Sequence, residues 1–217
     1  MDISPPYFFT RTQDIWEAMY ADCQRAQQSI ELDQYILEDD AIGRRFFSLF
    51  AEKARAGVSV HLLLDYIGSY KAYNSEPLQD LIAAGGTVRF YNKLPKHKWL
   101  QPTRWFPRNH VKVLMIDSHI AYVGSACMRD DMAGWRDTTV RLTGNDAGPV
   151  EKRMAYARLL WWKRPIGVQV RSYQDRDGQF AFSIRSPGVG VNPIYRGIIH
   201  AIRRAKKSVW IATPYFL

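Results

Sequence analysis

The stretch AIGRRFFSLFAEKARAGVSVHLLL, Ala41 to Leu64, decides the fold. Ala41 to Ala56 reads as a helix, and Gly57 supplies the stop that a left-handed terminal residue favours. VSVHLLL then follows as a strand rich in β-branched and apolar residues. The same order appears on both sides of it. Upstream, Ile15, Ala18, Met19 and Cys23 recur near helical spacing between Asp14 and Gln28, and the strand-like SIELDQYI follows at once. Downstream come a helix near Pro77 to Ala84, the pair Gly85-Gly86, and TVRFY. Alternating helices and strands predict an α/β fold with a mixed β-sheet flanked by helices. After a Pro- and Lys-rich loop, HVKVLMID, a turn at Asp117 to His119, and IAYVGS read as a pair of adjacent strands.

The 217 residues are 47% hydrophobic and 13% aromatic, enough to bury a core. Thirty Lys and Arg against 21 Asp and Glu give a formal charge of +9. An anionic partner is therefore expected, nucleic acid or acidic lipid headgroups, and charge alone does not choose between them. Cys23 and Cys127 form no CxxC pair and lie near no histidine at ligand spacing, so neither a disulfide framework nor a metal site is expected. Apolar stretches such as Val58 to Gly68 are broken by His or Asp and fall short of the roughly 18 residues a membrane span needs. The opening MDISPPYFFTRTQD shows no basic region followed by an apolar core. A reducing, cytoplasmic setting with peripheral membrane contact is the expectation.

An internal repeat appears when Ala26 is laid over Ala205, an offset of 179 positions. Ile15, Met19 and Cys23 then meet Ile194, Ile198 and Ile202, Arg25 meets Arg204, and Ser29-Ile30 meets Ser208-Val209. Helix and strand composition alone could give part of this likeness. The repeat divides the chain into a first domain, residues 1–185, and the start of a second copy, residues 186–217. The second counterpart of His110 would fall at position 289, beyond Leu217.

In HVKVLMIDSHIAYVGS, His110 and Lys112 are two apart on a strand, so both side chains share one face. A lysine in such an apolar strand is rarely idle. A neutral imidazole can attack phosphorus while an ammonium neutralises the non-bridging oxygens, and this chemistry needs no metal or cofactor. Asp117 could orient a partner or fix the turn, and Gly124-Ser125 could offer backbone and hydroxyl donors to a phosphate.

The spacing His110, Lys112, Asp117, Gly124-Ser125 reproduces HxK(x)4D(x)6GS, and on it the chain resembles the phospholipase D superfamily. SIELDQYILEDDAIGRRFFSLFAEKARAGVSVHLLLDYIGS, AAGGTVRFYN and WRDTTVRLTG are similar to the amino-terminal half of bacterial cardiolipin synthase-type enzymes, and IATPYFL to the opening of their second half. The resemblance implies a phospholipase D-type half-fold and two HKD motifs meeting across a pseudo-twofold axis. It implies His110 as nucleophile or general acid, Lys112 as phosphate binder, Asp117 as orienting carboxylate and Ser125 as phosphate contact. Cys127 stands where the family commonly has Asn, and reads as a small buried residue.

The leading expectation is a cardiolipin-type phosphatidyltransferase of phospholipid synthesis, working through phosphohistidine on a phosphatidylglycerol-like lipid at the inner membrane surface. Its second HKD half would come in cis or from a homodimer. The alternatives are a phospholipase D hydrolase and a single-motif homodimeric nuclease; an incomplete piece without activity of its own is a third reading. In YNKLPKHKWLQPTRWFPRNH, five basic residues interleave with Trp99, Trp105 and Phe106, which suits a membrane interface or a solvated basic loop equally. Leu159-Leu160-Trp161-Trp162 reads as core. Trp135-Arg136-Asp137 reads equally as support for the site or as substrate contact.

Overall fold

The computed structural model describes residues 5–94, 100, 108–152, 154, 172–174, 181–183 and 193–211. Seven strands, β1 (Tyr7–Phe9), β2 (Ser29–Gln34), β3 (Ser59–Asp65), β4 (Thr87–Tyr91), β5 (Val113–Ile116), β6 (Ile120–Gly124) and β7 (Thr139–Thr143), form one mixed sheet in the order β1-β7-β6-β5-β2-β3-β4. β2, β3 and β4 are parallel. Parallel neighbours need long crossovers, here α2 (Ala41–Arg55) and α3 (Glu76–Ala83), while α1 (Thr12–Arg25) precedes β2. On the other side of β2 the pairing turns antiparallel through β5, β6, β7 and β1. This is the mixed, helix-flanked sheet that the alternation predicts.

Local chemistry explains the helix ends. Asp40 accepts from Gly43 N at 2.9 Å, and Asp130 accepts from Ala41 N and Ile42 N, each at 2.9 Å. Carboxylates thus satisfy three of the amides that the first turn of α2 leaves without intrahelical partners, and their charge suits the helix dipole. Gly57, at φ 91°, ends the helix in the left-handed region as the sequence predicts. Ile42, Phe46, Phe47, Leu49 and Phe50 of α2 are buried with Ile15, Met19 and Cys23 of α1 against Leu32, Leu62 and Leu114 on one sheet face. Val113, Met115, Val140 and Leu142 on the opposite face pack with Ala147, Val150 and Met154. Each large buried side chain contributes on the order of 1.5–3 kcal/mol, so β5, although both of its neighbours are antiparallel, is fixed by packing on both faces.

Several expectations need adjustment. Regular ladder geometry on the HVKVLMID strand starts at Val113, so His110 and Lys112 lie on the approach to β5 rather than within it. Lys112 O still accepts from Gly124 N at 3.4 Å, which carries the alignment one residue back. The short edge strand β1 was not anticipated. Cys23 and Cys127 are both buried free thiols, as read for Cys127. The basic aromatic loop lies largely outside the described residues, as do Leu159 to Trp162 and most of residues 155–192.

Candidate active site

β2 and β3 end side by side, and β5 begins beside β2 with Asp33 opposite Val113. The carboxyl ends of the parallel strands and the entry to β5 therefore converge on one rim, the usual place for a site in such sheets. His110 and Lys112 stand there together. The His110 imidazole stacks on the Tyr35 ring with centroids 3.8 Å apart and planes inclined by 22°. Lys112 Nζ donates to His110 O at 2.8 Å and lies 5.2 Å from the centre of the same Tyr35 ring.

Below them is a buried polar layer. Asp65, with no exposed surface, accepts from Ile67 N and Gly68 N at 3.0 Å, from Asn109 N at 2.8 Å and from Arg108 Nη1 at 3.3 Å. Asn109, equally buried, donates through Nδ2 to Asp33 and accepts from Val111 N at 3.3 Å. Arg108 Nη2 also donates to Asn92 O at 3.0 Å. The residues immediately before and after His110 are thereby tied to the ends of β2 and β3. Burial pushes the His110 pKa below the ordinary 6.5, and Lys112 pushes the same way, with Asp65 opposing. Both effects favour the neutral imidazole, the form a nucleophile requires.

Asp33, Asp65 and Asn109 were not singled out from the sequence, and Arg108, read there only as one of the five basic residues of a membrane-facing or solvated loop, is instead nearly buried against Asp65. The signal was available: Asp33 and Asp65 each interrupt an apolar strand, and buried carboxylates demand partners. A single sequence does not show which partners they find.

The remaining candidates sit differently. Ser125 Oγ donates to Asp137 Oδ1 at 2.7 Å, and Ser125 N to Thr138 O at 3.2 Å, so the 135–137 segment supports the rim through Asp137. Gly124 answers to packing, because a Cβ there would collide with Thr138 O and Thr139. Asp117 lies at the far end of β5 from His110. Six residues separate the two, four of them the extended strand β5, so they stand roughly 20 Å apart. Its carboxylate accepts from Gln27 N, Gln28 N and Ser29 N at 2.9, 2.7 and 2.8 Å, tying the α1–β2 connection to the turn after β5. Burial would raise its pKa, but these three amides, with His119, hold it below the usual carboxylate range. Of the two roles read for Asp117, fixing the turn is the one these contacts match.

The sequence profile of the family described as "Cardiolipin synthase, PLD-like domain" matches residues 19–133, from α1 through β6 and the turn after it. The chain belongs to this PLD-like family. Cardiolipin synthase 1 of Staphylococcus epidermidis is 32% identical over 227 aligned positions, covering 96% of this chain and 44% of that protein. Cardiolipin synthase A of Pseudomonas fluorescens is 30% identical, covering 93% and 43%. The chain thus spans less than half the length of these curated relatives. Among solved structures, NucT from Helicobacter pylori matches with a TM-score of 0.54 at 16% identity, over 72% of this chain and 95% of that one. Nuc from Salmonella typhimurium, a phospholipase D family member, gives 0.53 at 13% identity, over 78% and 99%. These likenesses show that the seven-stranded unit is a PLD-type fold. Among the described residues of this PLD-like chain, no helix is long and apolar enough to cross a membrane, and no acidic, His or Cys group is arranged to hold a metal.

Proposed function

We propose that this PLD-like chain contributes one half of a phosphatidyltransferase site of the cardiolipin type. The observation that carries the reading is the pairing of the His110 imidazole, held against Tyr35, with the Lys112 ammonium on one rim. The relatives named cardiolipin synthase support a phospholipid substrate, and the reading takes it to be phosphatidylglycerol-like. In the forward step one histidine attacks phosphorus, the bond from phosphorus to the leaving alcohol breaks, and the alcohol takes its proton from a second histidine. The acceptor hydroxyl then returns a proton to that histidine as it attacks phosphorus, and the phosphorus–nitrogen bond breaks. His110 takes one of these two roles, and Lys112 offsets charge on the non-bridging oxygens. Ser125 supports the phosphate from the rim beside Gly124.

The second histidine belongs to another HKD half, in cis or from a second copy. Residues 186–217 are read as the opening of such a repeat. In support, the helix Pro193–Arg204 ends 179 positions after α1 ends at Arg25, the offset of the internal repeat. Its Ile198 and Ile202 are 51% and 38% exposed where the aligned Met19 and Cys23 are buried, as suits a stripe awaiting its own sheet. Peripheral binding at the cytoplasmic face of the cell membrane accompanies this reading, since anionic lipid attracts a +9 chain.

The test is incubation of the full-length protein with phosphatidylglycerol followed by separation of the lipids. Cardiolipin with release of glycerol supports transfer, and phosphatidic acid identifies water as acceptor and a phospholipase D hydrolase. Neither product would refute both. The charge also suits a nucleic-acid backbone, and a nuclease activity lost in His110→Ala would replace the lipid reading with that of a homodimeric nuclease.

A further inference from the structure

His110 and Lys112 meet on a third side chain. The imidazole lies flat against Tyr35, and the Lys112 ammonium stands over the same ring. We propose that Tyr35 is a positioning residue whose ring face is the common platform for both, fixing the plane of the imidazole and the place of the ammonium beside it. This rests on the reading of His110 and Lys112 as the pair that handles phosphorus.

The platform is itself held in place. Tyr35 O accepts from Ser69 Oγ at 3.0 Å, and the same hydroxyl accepts from Leu37 N at 3.0 Å, so one buried serine fixes the chain on both sides of Ile36. Ser69 N donates in turn to Asp65 O at 2.9 Å. A Cβ at Gly68 would run into the Tyr35 carbonyl oxygen and ring edge, so the glycine is required here by close approach. The IGS segment after β3 thus forms a seat for Tyr35, as Asp65 and Asn109 form one for the backbone at His110. Both seats share Asp65, so the ring and the imidazole are referenced to one rigid point.

The contact uses the ring face rather than the phenol oxygen. A flat apolar surface against one side of the imidazole removes water from it, in keeping with burial as the leading cause of the lowered His110 pKa. An aromatic face can also attract an imidazolium, which would act in the opposite direction. The sign of the change on removing the ring therefore separates a desolvating platform from a cation partner.

The experiment is an NMR titration of the His110 ring proton in the intact chain, assigned with His110→Gln. It compares the wild type with Tyr35→Phe, Tyr35→Leu and Gly68→Ala. His61 and His119, on other parts of the sheet, report whether each variant is folded. Phe should titrate with the wild type. Leu and Gly68→Ala should titrate higher, toward the ordinary 6.5, with His61 and His119 unmoved. A Leu variant titrating at or below the wild type, or a Phe variant moving as far as Leu, overturns the proposal. Should Leu not fold, Gly68→Ala against Phe decides the same question. No turnover is required, so the result stands apart from the lipid assay: an active His110→Ala enzyme would defeat the functional reading and leave the role of Tyr35 to the titration.

Discussion

Asp117 Oδ1 accepts the backbone N–H of Ser29 at 2.8 Å, and this bond lies at the opposite end of β5 from His110. With the Gln27 and Gln28 amides it makes a carboxylate clamp on the loop that delivers β2 to the sheet. The three fixed residues of the motif therefore lie in two places: His110 and Lys112 share one rim beside Tyr35, and Asp117 clamps the start of the strand that leads to Tyr35.

Asp117→Asn should consequently cost stability. Charge-assisted bonds to amides contribute about 1.5–3 kcal/mol each at most, and shared exposure reduces the sum, so a loss of roughly 2–4 kcal/mol is expected in urea unfolding. The folded pKa lies below the unfolded 3.8. The carboxylate thus contributes fully above pH 3.8, and its contribution is lost as pH falls through the lower folded value. Unfolding curves of wild type and variant should converge only on that acid side.

Asp65→Ala should be more damaging. It takes the carboxylate from the nearly buried Arg108 cation, which keeps its bond to Asn92 O, and the acceptor from the amides of Ile67, Gly68 and Asn109. Removing one partner of a buried pair costs about 3–5 kcal/mol. Arg108→Met in the same chain should recover part of it, which a double-mutant cycle on thermal unfolding would measure.

Titration of His110 also leaves a mark on stability. Its folded pKa is depressed, so the unfolded chain binds more protons as pH falls through 6.5. Stability should therefore drop on acidification below 6.5 in the wild type, and His110→Gln should flatten that part of the profile. Equal slopes in the two proteins between pH 5 and pH 7 (roughly the histidine range) would contradict a desolvated imidazole.

Gly124→Ala should separate β6 from β7, because the added methyl meets Thr139 Cα and Thr138 O on the neighbouring strand. Overpacking of this kind costs about 1–3 kcal/mol. Calorimetry should show a lowered Tm, whereas Ser125→Ala, which loses only exposed contacts to Asp137 and Thr138 O, should hardly move it.

The helices and their strands were legible because each signal was local. Gly57 after an apolar stripe, and Gly85 after Leu78 and Leu81, mark stops that the structure places at positive φ. The spacing of His110 and Lys112 likewise put the two side chains close together, as their shared contact with Tyr35 has it, without any knowledge of the sheet order. What stayed hidden depends on pairings between distant segments. The clamp that Asp117 makes on Gln27, Gln28 and Ser29 was hidden because sequence spacing does not say which distant backbone a carboxylate meets. Asp33, Asp65 and Asn109 become a layer only when β2, β3 and the approach to β5 converge. β1 is three residues long and is a strand only because β7 lies beside it.

The most direct measurement is turnover of phosphatidylglycerol by full-length protein carrying either His110→Ala or Asp117→Asn, normalised to folded protein. Loss of at least about a thousandfold in the histidine variant, with the aspartate variant keeping most of its activity per folded molecule, is the predicted result. Turnover that survives His110→Ala, or that disappears equally in a folded Asp117→Asn protein, would contradict the division of the motif into a chemical pair and a structural clamp.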